Sequence, residues 1–359
     1  MDEQRQLRCL IAAGGTVGHV APSLAVAEAL RARGVEVTFA GSPDRIEARL
    51  VPERGYAFDA FRVAGFPRRP GLRLLRALWL AVAAPAACLR ILARRRPDVV
   101  LGGGGYVAGP MVLAAWLRRI PAALTEADAE LGLANRLAAP FAHRLFLAYP
   151  TSGGHNGKAR VVGRPIPSTS RVVPREEARR LLGLAPEGPL VLVFGGSLGA
   201  RTLNETAVAA WGSAGPAVLH LCGERDWKEL SSRVTRPGYR LVPFVDEFGA
   251  ALGAADLVVS RAGGSVWEIA AAGRPAILVP YPDATADHQR RNAEHFEHAG
   301  GAVIVDDAAA PSAIPRLVDE LLADPARMRE MAEAMRAAAK PDAADRIADE
   351  LVELAAAHR

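Results

Sequence analysis

The sequence predicts an α/β protein of two Rossmann-like, doubly wound domains. Three observations predict it. Apolar runs of strand length alternate with helix-like stretches. The alternation breaks once near the middle of the chain and then restarts. Three of the strand-like runs end in glycine loops that open into helices. The chain has 359 residues and is half apolar, too long for one ordinary domain and suited to two of about 150 residues each.

Each element follows in order. LRCLIAA (7–13) reads as a buried strand, GGTVGH as a loop and APSLAVAEALRARG (21–34) as a helix. VEVTFAG (35–41) is the next strand. PDVVLGGGGY (97–106) repeats the strand-then-glycine design, and GPMVLAAWLRR (109–119) is the following helix. Near Val161 the pattern gives way to VVGRPIPSTSRVVPREE, proline-rich and polar. The expected boundaries are residues 1–163 for the first domain, 164–188 for a linker and 189–340 for the second domain. In the second domain PLVLVFGG, PAVLHLCG, YRLVPFV, DLVVSRAGG and PAILVPYP recur at strand spacing. Residues 341–359 read as an amphipathic helix, a candidate to pack back toward the first domain. Ligands in open α/β sheets bind outside the carboxyl ends of the strands, so two such sheets are expected to face an interdomain cleft.

The glycine loops are Gly14–His19, Gly102–Tyr106 and Gly195–Arg201. Glycine lets backbone N–H groups approach an oxyanion, and the next helix adds free donors and partial positive charge. Any one such loop is as readily a packing device; three together favour a phosphate-bearing ligand. A dehydrogenase would need G-x-G-x-x-G and an acidic residue ending the second strand, which here ends in Gly41-Ser42. A P-loop would need Lys-Ser/Thr after its glycines, and none of the loops has it.

Charge is uneven. Residues 1–165 carry +11 and residues 166–359 carry −6, within a net +5. The first half is expected to meet something anionic. Nucleic acid is disfavoured, since the basic residues lack aromatic interleaving. The stretch Arg62–Arg96 holds nine arginines and no carboxylate. Two readings stand for it: a buried helix with a solvated basic rim, or a surface that rests on anionic lipid with Trp79 and leucines dipping in. Its arginine-free run, Ala77–Leu89, is too short to span a bilayer. Cys9, Cys88 and Cys222 are odd in number and far apart, giving no disulfide or zinc pattern and favouring a reducing compartment. The first residues do not read as a secretory leader. No Asp-x-Asp pair offers a Mg²⁺ or Mn²⁺ site, and His295 with His298 lacks a third metal ligand.

GGTVGHVAPSLAVAEAL, VVLGGGGYVAGP, FGGSLGAR, SRAGGSVWEIAAAGRPAILVPYP and DHQRRNA resemble, in order, the motifs of the MurG family of glycosyltransferases. The resemblance runs from about residue 8 to 345 and is specific as a set. It implies a GT-B fold and inverting transfer of GlcNAc from UDP-GlcNAc to undecaprenyl-diphosphate-MurNAc-pentapeptide. It implies no cofactor, no metal, and peripheral attachment to the cytoplasmic face of an anionic membrane.

Carried over by position, Ser197 would contact the donor diphosphate and Val245 the uracil. Glu268 would accept from the ribose hydroxyls, with Gly264, Ser265, Val266 and Trp267 leading into it. Trp267 suits packing better than stacking. Gln289, with Asn292 nearby, would read the GlcNAc hydroxyls. Thr16, Val17 and Gly18 would line the sugar and acceptor side, and Tyr106, Asp128 and Arg164 join the substrate-binding set. His19 falls at the reacting centre, as base or as orienter. Such a transfer needs a base for the acceptor hydroxyl and positive charge for the leaving UDP. A histidine beside a helix N-terminus tends to stay neutral, which suits a base.

The chain departs from the family pattern at four places. Val17 stands where a small residue is usual. Thr125-Glu126-Ala127-Asp128 replaces His-Glu-Gln-Asn. Gly163-Arg164-Pro165-Ile166-Pro167 lacks the usual arginine, with Arg164 a candidate substitute. The loop before Glu268 is one residue shorter. Rival readings are a GT-B transferase with another lipid or secondary-metabolite acceptor, a nucleotide-sugar epimerase, and a non-catalytic membrane-bound binding protein.

Overall fold

The computed structural model describes residues 5–63, 72–150, 157–196 and 199–358, apart from the side chains of 72–82 and 285. The chain divides into two units, Met1–Pro167 with Pro341–Arg359, and Ser168–Lys340.

The first unit runs β1 (Arg8–Ala12), α1 (Val17–Ala32), β2 (Glu36–Gly41), α2 (Glu47–Glu53), β3 (Ala57–Ala60), α3 (Leu72–Arg95), β4 (Val99–Gly102), α4 (Ala108–Leu117), β5 (Ala122–Glu126), α5 (Leu133–Ala138), β6 (Arg144–Leu147) and β7 (Ala159–Val161). The strands are parallel in the order β3-β2-β1-β4-β5-β6-β7. Helices cover both faces of such a sheet, which is why its central strands are continuous apolar runs. Alternate residues serve the two faces. Ile11, Phe39 and Leu101 pack with Val20, Leu24 and Leu30 of α1. Leu10, Val100 and Leu124 pack with Cys88 and Leu92 of α3 and with Met111 of α4.

The second unit runs α6 (Arg175–Leu181), β8 (Leu190–Phe194), α7 (Arg201–Trp211), β9 (Ala217–Leu221), α8 (Glu224–Ser231), β10 (Tyr239–Val242), α9 (Phe248–Ala254), β11 (Leu257–Ser260), α10 (Val266–Ala271), β12 (Ala276–Leu278), α11 (His288–His298), β13 (Ala302–Ile304), α12 (Ala310–Leu322) and α13 (Pro325–Ala338). Its parallel strands run β10-β9-β8-β11-β12-β13. Val191, Val193, Val259 and Ile277 pack against Leu203 of α7 and Ile314 and Val318 of α12.

The stretch 164–188 is shared. Arg164 makes its contacts in the first unit, whereas Arg175 and Arg179 pair with Asp256 in the second. The last helix, α14 (Ala343–Ala356), returns to the first unit. Its Ile347, Leu351 and Leu354 join the α1 face of the core, and Arg33 pairs with Asp345 at 3.0 Å and Asp349 at 2.7 Å. The three cysteines are free and buried.

Each sheet reverses strand order once, between β1 and β4 in the first unit and between β8 and β11 in the second. Open α/β sheets bind ligands outside the carboxyl ends of the strands at such a reversal.

Candidate functional site

In the first unit the two loops at the reversal press together. A β-carbon at Gly104 would lie 2.4 Å from His19 Cδ2, and one at Gly105 would lie 2.1 Å from the Gly14 carbonyl oxygen. Both glycines have positive φ, so any side chain there would be strained and would force the loops apart. Thr16 caps α1 in an extended conformation, and its carbonyl accepts from the N–H groups of His19 at 3.1 Å and Val20 at 3.2 Å. Its hydroxyl lies 3.1 Å from His19 Nδ1. If Nδ1–H is the donor, the Nε2 lone pair is left for a substrate proton.

Pro22 sits inside α1. It has no N–H to give the carbonyl four residues back, that of Gly18. Arg164 takes that acceptor: its Nη2 donates to Gly18 O at 2.6 Å across 146 residues of sequence. Its Nη1 donates to Ala127 O at 3.3 Å. The arginine is therefore a buried tie between the first glycine loop and the loop after β5. Burial pushes the His19 imidazole below the ordinary histidine value; the Asp128 carboxylate opposes this and the Arg164 guanidinium adds to it. The fold thus gathers Thr16, Gly18, His19, Asp128 and Arg164. Val17 and Tyr106, the latter 53% exposed, stand open to solvent on the two loops.

Glu126 holds the loop that carries Asp128. Its buried carboxylate accepts from the N–H groups of Ala127, Asp128 and Gly132 and from Asn135 Nδ2. Burial raises its pKa, against those hydrogen bonds. No motif in the sequence marked Glu126 or Asn135 as a pair, since the match is between a strand end and a helix nine residues on.

In the second unit the loop after β8 is tight. Gly199 N–H donates to Gly196 O at 2.9 Å, and a β-carbon on Gly199 would meet Cys222 O at 2.3 Å. Ser197 lies outside the described residues. Across the reversal, the loop after β11 carries half-buried Gly264 and Ser265 into α10. Val266 and Trp267 are buried at 0% and 1% exposure, Trp267 against Phe296, so a ligand at this loop would meet their backbone and not their side chains. Ser170 donates to Glu268 Oε1, a buried partner from the very start of the second unit that no sequence pattern signalled. Val245 is half-buried after β10. Gln289 Oε1 accepts from Tyr281 N–H at 2.9 Å.

Asn292 is fully buried and donates through Nδ2 to Ala262 O at 3.2 Å, which supports the loop after β11. Arg261 adds a second support, donating to the carbonyls of Val279 and Pro280 and pairing with Asp307. Among the described residues no group of three or more His, Cys, Asp or Glu could hold a metal ion.

Two family models match the chain: the glycosyltransferase family 28 N-terminal domain over residues 9–147 and the glycosyltransferase family 28 C-terminal domain over residues 190–347. A protein of Acidithiobacillus ferrooxidans is 43% identical, covering 96% of this chain and 97% of its own. One of Halothermothrix orenii is 37% identical, covering 93% and 95%. Both are named UDP-N-acetylglucosamine–N-acetylmuramyl-(pentapeptide) pyrophosphoryl-undecaprenol N-acetylglucosamine transferase. The crystal structure of Acinetobacter baumannii MurG superposes with a TM-score of 0.78 at 28% identity, covering 97% of this chain and 99% of that one. Two parallel α/β units matched over nearly their whole length to these proteins place the chain in glycosyltransferase family 28, as a member of the MurG family.

Proposed function

We propose that this chain transfers GlcNAc from UDP-GlcNAc to the MurNAc unit of undecaprenyl-diphosphate-MurNAc-pentapeptide, with inversion to a β-1,4 bond. The observation that carries this reading is coverage: relatives named for that transfer align along both units, not one. In the proposed step the acceptor hydroxyl oxygen attacks C1 of GlcNAc. The bond from C1 to the UDP oxygen breaks, and its electron pair stays on the diphosphate. His19 takes the hydroxyl proton through Nε2, with Thr16 holding Nδ1. Glu268, oriented by Ser170, holds the ribose. Val245 lies against the uracil and Gln289 faces the sugar. The loop after β8, including Ser197, and the start of α7 meet the diphosphate with backbone donors. Incubating the purified chain with UDP-GlcNAc and a short-chain lipid-linked MurNAc-pentapeptide should release UDP and form the disaccharide. UDP release without the disaccharide, or no turnover at all, would refute the reading.

The acceptor is lipid-linked, so the first unit is proposed to rest on the cytoplasmic face of an anionic membrane. No helix among the described residues is long and apolar enough to cross it. Trp79 has no described side chain. Support comes instead from the end of α4, where Trp116 and Leu117 are 49% and 53% exposed beside exposed Arg118 and Arg119. Arg94 and Arg95 are poor probes, because both pair with the buried Asp59 carboxylate, and removing them would strand that charge. Replacing Arg90, Arg118 and Arg119 with Gln should reduce co-sedimentation with anionic vesicles, most at low salt. Equal binding of both forms to anionic and neutral vesicles would remove the lipid surface from the proposal.

A further inference from the structure

Glu47 is a carboxylate with no exposed surface. It opens α2, outside every motif that pointed to the site. Its two oxygens go to two different loops: Oε2 accepts from Gly15 N–H and Oε1 from Ser42 N–H, both at 3.0 Å. The surroundings are shaped to it. A β-carbon at Gly14 would lie 2.1 Å from Glu47 Oε1, and one at Gly41 would lie 2.8 Å from its Cγ. On its other side the Gly14 carbonyl is closed in by Gly105. The Gly14–Gly15 peptide is thus held between a carboxylate and the second glycine loop.

That peptide leads directly into Thr16, whose carbonyl and hydroxyl both engage His19. Gly15 itself has a φ of +96°, a conformation with few intrinsic restraints, so the direction in which Thr16 leaves it depends on what holds its N–H. We infer that Glu47 is a positioning residue for His19: it fixes Gly15, which aims Thr16, which sets the ring. A carboxylate suits this task because it accepts at both oxygens, whereas an amide in its place must turn an NH₂ donor toward one of two N–H donors. Glu47 touches no reacting atom in this scheme.

The inference rests on the GlcNAc-transfer reading and on His19 as base, and its test keeps the failures apart. Glu47→Gln should lower kcat per folded molecule by about 10- to 100-fold, the scale of a small misplacement of a reacting group. The KM for UDP-GlcNAc should stay within about twofold, since its proposed contacts lie in the second unit. The decisive readout is a double-mutant cycle, in which Glu47→Gln added to His19→Ala should cost little further rate. A role in stability alone would leave kcat per folded molecule intact, and a role independent of His19 would make the two losses multiply; either result overturns the inference. Should Glu47→Gln not fold, the same cycle is run with Glu47→Asp, which keeps the charge but reaches only one of the two amides. Failure of both variants to fold would mean that the carboxylate holds the sheet and not the loop, and would also overturn it. A wild-type chain that transfers no GlcNAc refutes the underlying reading, whereas transfer by wild type matched by Glu47→Gln refutes only the positioning role.

Discussion

Replacing His19 with alanine is expected to lower turnover by about 10²–10⁴-fold, the usual scale for loss of a general base. UDP-GlcNAc affinity should barely change, because the proposed donor contacts lie in the second unit. The mutant should fold, since among the described residues the side-chain hydrogen bond of His19 is with Thr16, an exposed residue. Turnover per folded molecule therefore reports on chemistry, and near-normal turnover would end the base assignment. The pH profile gives an independent check. A base works deprotonated, so activity should fall on the acid side, as His19 takes up a proton. Burial lowers its pKa, which places that limb below the ordinary histidine value. The Asp128 charge opposes the shift, so Asp128→Asn should carry the limb to still lower pH. Movement in the opposite direction would separate Asp128 from the titrating group. Wild-type activity should also survive EDTA, since loop donors and not a divalent ion are proposed to meet the diphosphate; loss of activity in EDTA would refute that part of the scheme.

Glu268→Ala should weaken UDP-GlcNAc binding by about 1.5–3 kcal/mol, the scale of hydrogen bonds to a charged group. UDP alone should suffer equally, because the proposed contact is to ribose and not to the sugar. Ser170→Ala should give a smaller loss of the same kind: the carboxylate stays, but the hydroxyl that orients it is gone. Calorimetry with UDP distinguishes the two variants. Unchanged UDP affinity in Glu268→Ala would take the residue out of the donor site.

The central strands were legible because both their faces are buried, which turns β4 and β8 into unbroken apolar runs and β1 into one after Arg8. The glycine loops were legible because two of them must pack on a neighbouring loop without a side chain between. Other strands were harder to read. β5 is AALTE and β13 is AVI, short and alanine-containing, with little local preference for a strand; their neighbours in the sheet supply the preference. The helix expected from residue 21 begins at Val17, since the loop that carries His19 has already turned helical. In the site, residues within a motif could be named from the chain alone. Residues defined by contacts with distant parts of the chain could not: Glu47, Ser170 and the partnership of Arg164 with the carbonyl freed by Pro22 have no local pattern, only a place in the fold.

The return of α14 to the first unit has a consequence for biosynthesis. The polypeptide emerges from the ribosome in order, and domains generally fold as units as they appear. Here the second unit is an insertion within the first, and Ile347, Leu351 and Leu354 complete the face of the core that α1 and the central strands begin. That face cannot be sealed until α14 has emerged, although the second unit is whole by residue 340. The later-made unit can therefore mature before the earlier-made one, and the nascent chain carries an unsealed apolar surface while the second unit is being made.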